Sequence, residues 1–412
     1  MPDTVIIGAG IIGCATAYYL SESQRTSPQS IHLVEASPEL FKCASGLAAG
    51  FLAADWFAPP VAALGALSFR LHKSLAEQHN GREQWGYSRS TGTSLSQSRT
   101  SGSGNRYDWL RTGSSRAEAA AFHEFREGEG AAWLTKKKGD RLEVISEDDT
   151  VAQVDPLKLS QFLLEESLKR GVKLHHPVRA VTIAKDAEGN ISSVKIRSEK
   201  DGTETDIPCS RLAITSGAWS PAVFSTLFPK SNTRIPVTSL AGHSLVLRSP
   251  RWSKEHEDKG CHAVFSTETD GFSPEIFSRI GGEIYIAGLN DADLQLPKTG
   301  ADAKIDPDSI QRLKVVARNM LGLPEGEQDD LEVLREGLCF RPVTRMGTPI
   351  ISRIADSKLG DGLKTKGDGN GGVFLAAGHG PWGIALSVGT GKALSELIEG
   401  TETSADIRSL KL

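Results

Sequence analysis

The sequence predicts an α/β fold, shading into α+β, in which a layer of parallel strands is interleaved with a strand-rich antiparallel region. Three observations predict it. An apolar run, Val5-Ile6-Ile7, leads into Gly8-Ala9-Gly10-Ile11-Ile12-Gly13, then helical spacing to Ser21, then Ile31-His32-Leu33-Val34-Glu35. Strand-like runs that end in small-residue turns recur at Arg211 to Ser220 and at Val373 to Ile384. Between them, residues 236 to 290 alternate apolar and polar at His243 to Leu247, Ala263 to Ser266 and Glu283 to Ala287. The first unit has the strand, glycine turn, helix, strand and acid of a Rossmann-like dinucleotide-binding βαβ motif. Such pieces at the start, middle and end predict a dinucleotide-binding domain over 1–60, 150–232 and 340–412, and a substrate domain over 61–149 and 233–339.

The glycines have separate duties. Gly8 permits the tight turn, Gly10 lets backbone approach a pyrophosphate, and Gly13 lets the helix pack close to the sheet. The helix start supplies amide donors and positive dipole to phosphates. Glu35 is placed to accept from ribose hydroxyls. A second glycine-bearing stretch, Cys43 to Leu52, offers small residues for close backbone approach; the alternative is a loop packed on the first domain. Residues 60 to 78 have helical spacing. Residues 88 to 116 read as strand ends and a mobile loop, with a basic phosphate-binding strip as the other reading. Asp155 caps a helix that opens at Pro156 and closes at Gly171. Strands are expected at Val172 to Leu174, Val178 to Ile183, Ser192 to Ile196 and Asp206 to Pro208, a helix over 308–322, and a last helix over Gly389 to Glu399 with Gly400 beyond it.

Composition narrows the function classes. A chain of 412 residues suggests two or three domains, and its 39% hydrophobic and 24% charged residues suit a soluble globular protein. A net charge of −4 implies no general affinity for nucleic acid or anionic membrane. No apolar run reaches about 18 residues, so no membrane span is expected. A strand from residue 4 leaves no room for a signal peptide. The five cysteines, at 14, 43, 209, 261 and 339, form no CxxC pair, and the ten histidines no HxxxH. A reducing, cytoplasmic setting with no disulfide framework and no metal is the expectation. Leu410-Lys411-Leu412 resembles a peroxisomal tripeptide except for its large first residue, leaving that compartment as the weaker alternative.

Five ordered pieces carry a resemblance spanning nearly the whole chain: Val5 to Gly13 with Glu35; Ser45 to Gly50; Val154-Asp155-Pro156; Ser216-Gly-Ala-Trp-Ser220; and Ala376 to Ile384. The chain resembles the FAD-dependent D-amino-acid oxidase and sarcosine/glycine oxidase superfamily, fungal members above all. The resemblance implies FAD, with its adenosine on the first βαβ unit and its ring at the interface between domains. It places cofactor contacts at Gly8, Gly10, Ile11, Ile12, Gly13 and Glu35, at Ser45, Gly46 and Gly50, at Val178, and at Ser216, Gly217 and Trp219. The third turn adds Gly378, His379, Gly380, Gly383 and Ile384. Three glycine-rich turns also favour FAD over NAD, which needs one phosphate turn. A helix after the third turn would set its dipole near the flavin N1–C2=O.

Gly337-Leu-Cys-Phe-Arg341-Pro342 matches the segment that, in related amino-acid oxidases, carries the substrate-carboxylate arginine. A guanidinium offers two parallel donors suited to that group; the other reading of Arg341 is an internal ion pair. Cys339 stands where sarcosine oxidase relatives bond flavin covalently. A buried, inert cysteine and non-covalent FAD are the favoured expectation. Phe51, Leu52 and Trp382 stand where sarcosine oxidases carry basic residues, which predicts an apolar pocket with Trp382 in its wall and charge recognition left mainly to Arg341. The implied reaction oxidises a C–N bond of an amino acid or secondary amine by hydride transfer to flavin N5. Reoxidation by oxygen or another acceptor follows. A NAD(P)-dependent dehydrogenase and a flavin-containing regulatory or trafficking protein with weak catalysis are the alternatives.

Overall fold

A computed structural model describes residues 2–97, 126–127, 130–147, 149–267, 271–323, 329–367 and 370–412. The loop expected within 88 to 116 falls largely outside the described residues; Ser88–Ser96 is a strand.

The first apolar run is the strand Thr4–Ile7, central in a six-stranded sheet. Across this sheet stand Ile350–Ile354, Gly372–Ala377, Arg211–Ile214, Thr4–Ile7, Ile31–Val34 and Lys173–His175. All neighbours are parallel except the edge strand Ile350–Ile354, which runs antiparallel. Both faces are covered, which is why the strands read as unbroken apolar runs. Ile6, Leu33, Ala213 and Phe374 face a core that holds the helices Ile11–Glu22, Pro59–Gln78, Pro156–Arg170 and Ser387–Glu399. Val5, Ile7, Val34, Leu212 and Leu375 face a second core shared with Phe224 and a three-stranded antiparallel sheet, Val178–Lys185, Ile191–Ser198 and Glu204–Pro208.

A larger sheet runs Glu332–Thr344, Val237–Arg248, Glu283–Asp291, Glu275–Arg279, Cys261–Ser266, Ser88–Ser96, Arg141–Ser146 and Arg126–Glu127. Its pairs are antiparallel except Cys261–Ser266 with Ser88–Ser96. Helix Pro307–Leu321 packs on one face. Strand Glu332–Thr344 runs unbroken through residue 340, where the sequence suggested a domain boundary.

Local signals explain the helix ends. The Asp155 carboxylate accepts from the Leu157 and Lys158 amides, and Gly171 and Gly400 close their helices at positive φ. No helix among the described residues is long and apolar enough to cross a membrane. None of their His, Cys, Asp or Glu side chains form a group of three or more placed to hold a metal ion. All five cysteines are free thiols.

Candidate functional site

The three glycine turns meet on one cavity of about 470 Å³, within the usual range for small-molecule sites. At the first turn, Gly8 adopts φ +107°, and its amide donates to Val34 O at 2.8 Å. A Cβ at Gly13 would overlap the Gly8 carbonyl oxygen, so the helix can approach the strand only with glycine there. Gly13 is therefore a packing residue and does not itself line the cavity. Gly10 does line it, and a Cβ there would meet only Ser45 Oγ, at 3.0 Å. Ile11 and Ile12 complete this wall.

Glu35 closes the turn from the second strand. Its two carboxylate oxygens accept from the Ala9 amide at 2.9 Å and the Ser37 amide at 2.8 Å, and it lines the cavity. Each oxygen keeps a further lone pair that a hydroxyl donor in the cavity could use. The Val178 amide donates to Glu35 O at 2.7 Å, which brings Val178 to the same end. Ser45 Oγ accepts from the Ile11 amide at 2.9 Å, fastening the second glycine stretch to the first helix. Gly50, at φ +90°, lines the cavity, whereas Gly46 packs under the Phe41 carbonyl away from it. Ser216, Gly217 and Trp219 also line it. Ser216 Oγ donates to Ile7 O at 2.8 Å, and Trp219 Nε1 to Pro297 O at 2.8 Å.

The third turn brings His379, Gly380, Gly383 and Ile384 to the wall. Gly378 lies behind, against Thr344. His379 Nε2 lies 3.1 Å from Thr390 Oγ1, and burial lowers its pKa to about 4. One positioning residue escaped the sequence reading. His72, from helix Pro59–Gln78, donates through Nε2 to Ile384 O at 3.0 Å, tying that helix to the turn, and burial lowers its pKa to about 4. Its signal was a lone histidine on the buried Leu64, Ser68 and Leu75 face. The unfolded chain protonates both rings near pH 6.5 and the folded one only near 4. In that window the unfolded state binds more protons, so stability falls as pH falls, by up to about 1.4 kcal/mol per pH unit per ring. Tm should drop from pH 6.5 toward 5, with a shallower slope in His72→Gln; equal slopes would contradict this.

The large sheet supplies another part of the cavity wall. Cys339 and Arg341 lie on strand Glu332–Thr344, line the cavity, and are 3% and 5% exposed. Arg341 Nη1 donates to Asn290 Oδ1 at 2.7 Å. A Cβ at Gly242 would overlap the guanidinium, so this glycine gives the head its seat. Phe51 and Tyr285 supply apolar wall. Leu52 is buried in the helical core, and Trp382 packs edge-on to Phe57 at 5.0 Å and Trp56 at 6.4 Å rather than on the wall. Trp382 acts from behind, since Trp56 in turn packs on Phe51 at 5.1 Å. His243 accepts the Asp306 amide at 3.2 Å and is not on the wall. The wall is less apolar than expected, because Glu275, 2% exposed, also lines it.

Similar proteins share this frame. The chain is 29% identical over 427 residues to a "putative oxidoreductase" of Schizosaccharomyces pombe, covering 98% of this chain and 96% of that protein. To another so named in Saccharomyces cerevisiae it is 22% identical over 523 residues, covering 98% and 93%. Glycine oxidase from Geobacillus kaustophilus superposes with a TM-score of 0.71 at 20% identity, covering 100% of this chain and 98% of that one. Iminodiacetate oxidase from Chelativorans gives 0.68 at 19%, covering 99% and 98%. L-Amino acid deaminase from Proteus myxofaciens gives 0.71 at 15%, covering 100% and 93%. These likenesses show the fold. Residues 3–397, which include all three turns and Arg341, match the model of the DAO family, described as FAD dependent oxidoreductase, and the chain belongs to that family.

Proposed function

We propose that the chain holds FAD in this cavity and oxidises the C–N bond of an amino acid or secondary amine. The carrying observation is Arg341, a buried guanidinium on the wall that the dinucleotide turns also line. Membership of an FAD-dependent family favours FAD over NAD(P). The residues fit the cofactor: Gly10, Gly217 and Gly380 leave its path free of side chains, and helix Ile11–Glu22 points its N-terminus at the turn. Bound FAD supplies the hydride acceptor, and oxygen or another acceptor takes the electrons onward. Arg341 binds and orients the carboxylate, with Asn290 and Gly242 fixing its head. Phe51 and Tyr285 exclude water. His379 stays neutral above its depressed pKa and holds the third turn through Thr390. The solved structures of this fold include proteins named for glycine, iminodiacetate and L-amino acids, which favours an acid-bearing amine.

An anaerobic panel of amines and amino acids, read by bleaching of the flavin absorption, tests this reading. At least one acid-bearing amine should bleach the flavin. Bleaching by none would move the balance to a regulatory or trafficking flavoprotein. Attachment is non-covalent in this proposal: after acid precipitation the yellow colour should stay in the supernatant. A yellow pellet, lost in Cys339→Ala, would instead establish the bond.

A further inference from the structure

Among the described residues on the Arg341 side of the cavity, Glu275 is a feature that an apolar pocket read by a single arginine does not explain. It opens strand Glu275–Arg279 and is 2% exposed, in a neighbourhood of Phe265, its cross-strand partner, and Tyr285. Glu275 has partners within the protein and also lines the cavity, where a spare acceptor position of its carboxylate can serve a ligand. Strand pairing sets it relative to Arg341. Glu275 stands opposite Ala287, Ala287 opposite Ser244, and Ser244 opposite Gly337. Directly paired residues share a face, and residues two apart on a strand do too. Glu275, Ser244, Gly242, Cys339 and Arg341 therefore share one face, and the Arg341 head sits over Gly242.

We propose that Glu275 and Arg341 form a two-point reader for an α-amino acid, Arg341 taking the carboxylate and Glu275 accepting N–H from the amino nitrogen. This rests on the amine-oxidising reading above and narrows its substrate class to compounds carrying both groups on one carbon. Two strand spacings and two residues separate Glu275 from Gly242, roughly 12 Å between backbones. A glutamate side chain reaches roughly 4 Å from its backbone, so a Glu275 carboxylate turned toward Gly242 would come within roughly 8 Å of the guanidinium seated there. An α-amino acid bonded at both ends spans roughly 9 Å, counting a forked carboxylate contact and one N–H···O bond. A carboxylate has about four acceptor directions, so other protein partners of Glu275 leave room for a substrate donor. The apolar remainder of the wall keeps water from competing at either end.

The discriminating probes are amino acids beside the same carbon frames without nitrogen: alanine with propionate, and proline, both enantiomers, with cyclopentanecarboxylate. Each is titrated anaerobically into FAD-loaded protein and read by change in the flavin spectrum. In wild type at least one amino acid should act at lower concentration than its nitrogen-free partner. Glu275→Gln should weaken that amino acid about 10- to 100-fold, the range for a charge-assisted contact. It should leave the nitrogen-free acid within about twofold. Glu275→Asp, a shorter carboxylate, should recover part of the loss and serves if the glutamine variant loses FAD. Equal affinity of wild type and both variants for every amino acid would overturn the role of Glu275 while leaving the amine-oxidising reading intact. No response of wild type to any amino acid would overturn the two-point reader, and the amine-oxidising reading would then stand or fall with the other amines of the panel.

Discussion

Gly10→Val should give a folded, colourless protein. Gly10 has φ −69° and extended ψ, which valine also adopts, so the backbone carries no strain from the change. A Cβ there meets only Ser45 Oγ; the remaining methyls project into the cavity. In the proposed FAD complex they would stand where the backbone approaches the pyrophosphate, and overpacking of this kind costs about 1–3 kcal/mol even where neighbours relax. With FAD bound as proposed, the neighbour would be its diphosphate, which the cavity wall leaves little room to shift, so flavin should be absent from purified protein. Gly13→Ala should behave differently. Its added methyl would overlap the Gly8 carbonyl oxygen of the turn and crowd Thr215 Oγ1 at the end of the neighbouring strand. The expected result is loss of soluble, cooperatively melting protein, with flavin lost as a consequence. Absorbance at flavin wavelengths beside a circular-dichroism melt separates the two. A Gly10→Val protein as yellow as wild type would place the dinucleotide elsewhere.

The contrast between these two glycines shows why the first unit was legible. A parallel strand covered on both faces has to be apolar throughout, and Val5-Ile6-Ile7 is. The turn after it excludes a Cβ at Gly8 and Gly13, where neighbouring backbone lies too close, and leaves the cavity open at Gly10, and the motif records all three. Helix ends were legible for the same local cause: Asp155, Gly171 and Gly400 act within one turn of where they stand. What stayed hidden depends on contacts distant in sequence. Strand Glu275–Arg279 has charged residues at both ends, which breaks an apolar alternation, yet all five residues are buried. Glu275 faces the cavity, and the Arg279 guanidinium donates to the Ala48 and Ala49 carbonyls 231 and 230 residues away. Likewise, only the second half of Glu332–Thr344 stood out, because Glu332 to Glu336 are exposed or half-buried and charges interrupt their apolar residues. The expectation of Trp382 on the pocket wall relied on its place in the glycine turn. The packing of Phe57 against its ring could not be read from that turn.

Arg341→Ala should lower kcat/KM by roughly 30- to 1,000-fold, about 2–4 kcal/mol of transition-state binding, without changing FAD content. The reason lies in the surroundings. A substrate carboxylate entering this cavity would leave water for a wall that sets Phe51 and Tyr285 beside the Glu275 carboxyl group, and without a fork to meet it that transfer is costly. Arg341 is held ready, its head fixed by Asn290 on one side and seated over Gly242 on the other. Little ordering remains to be done when substrate binds. Arg341→Lys should recover only part of the loss, since an ammonium is a point donor without the fork. Gly242→Ala gives an independent check that leaves the charge in place: its methyl would claim the seat of the guanidinium, so kcat/KM should fall with every Arg341 atom retained. Retention of wild-type kinetics by Arg341→Ala on every substrate found would make the arginine structural and would remove the main support for an acid-bearing substrate. If Arg341→Ala is impaired but Gly242→Ala is not, recognition stands while the pre-set seat does not. The guanidinium would then reach the carboxylate from another position.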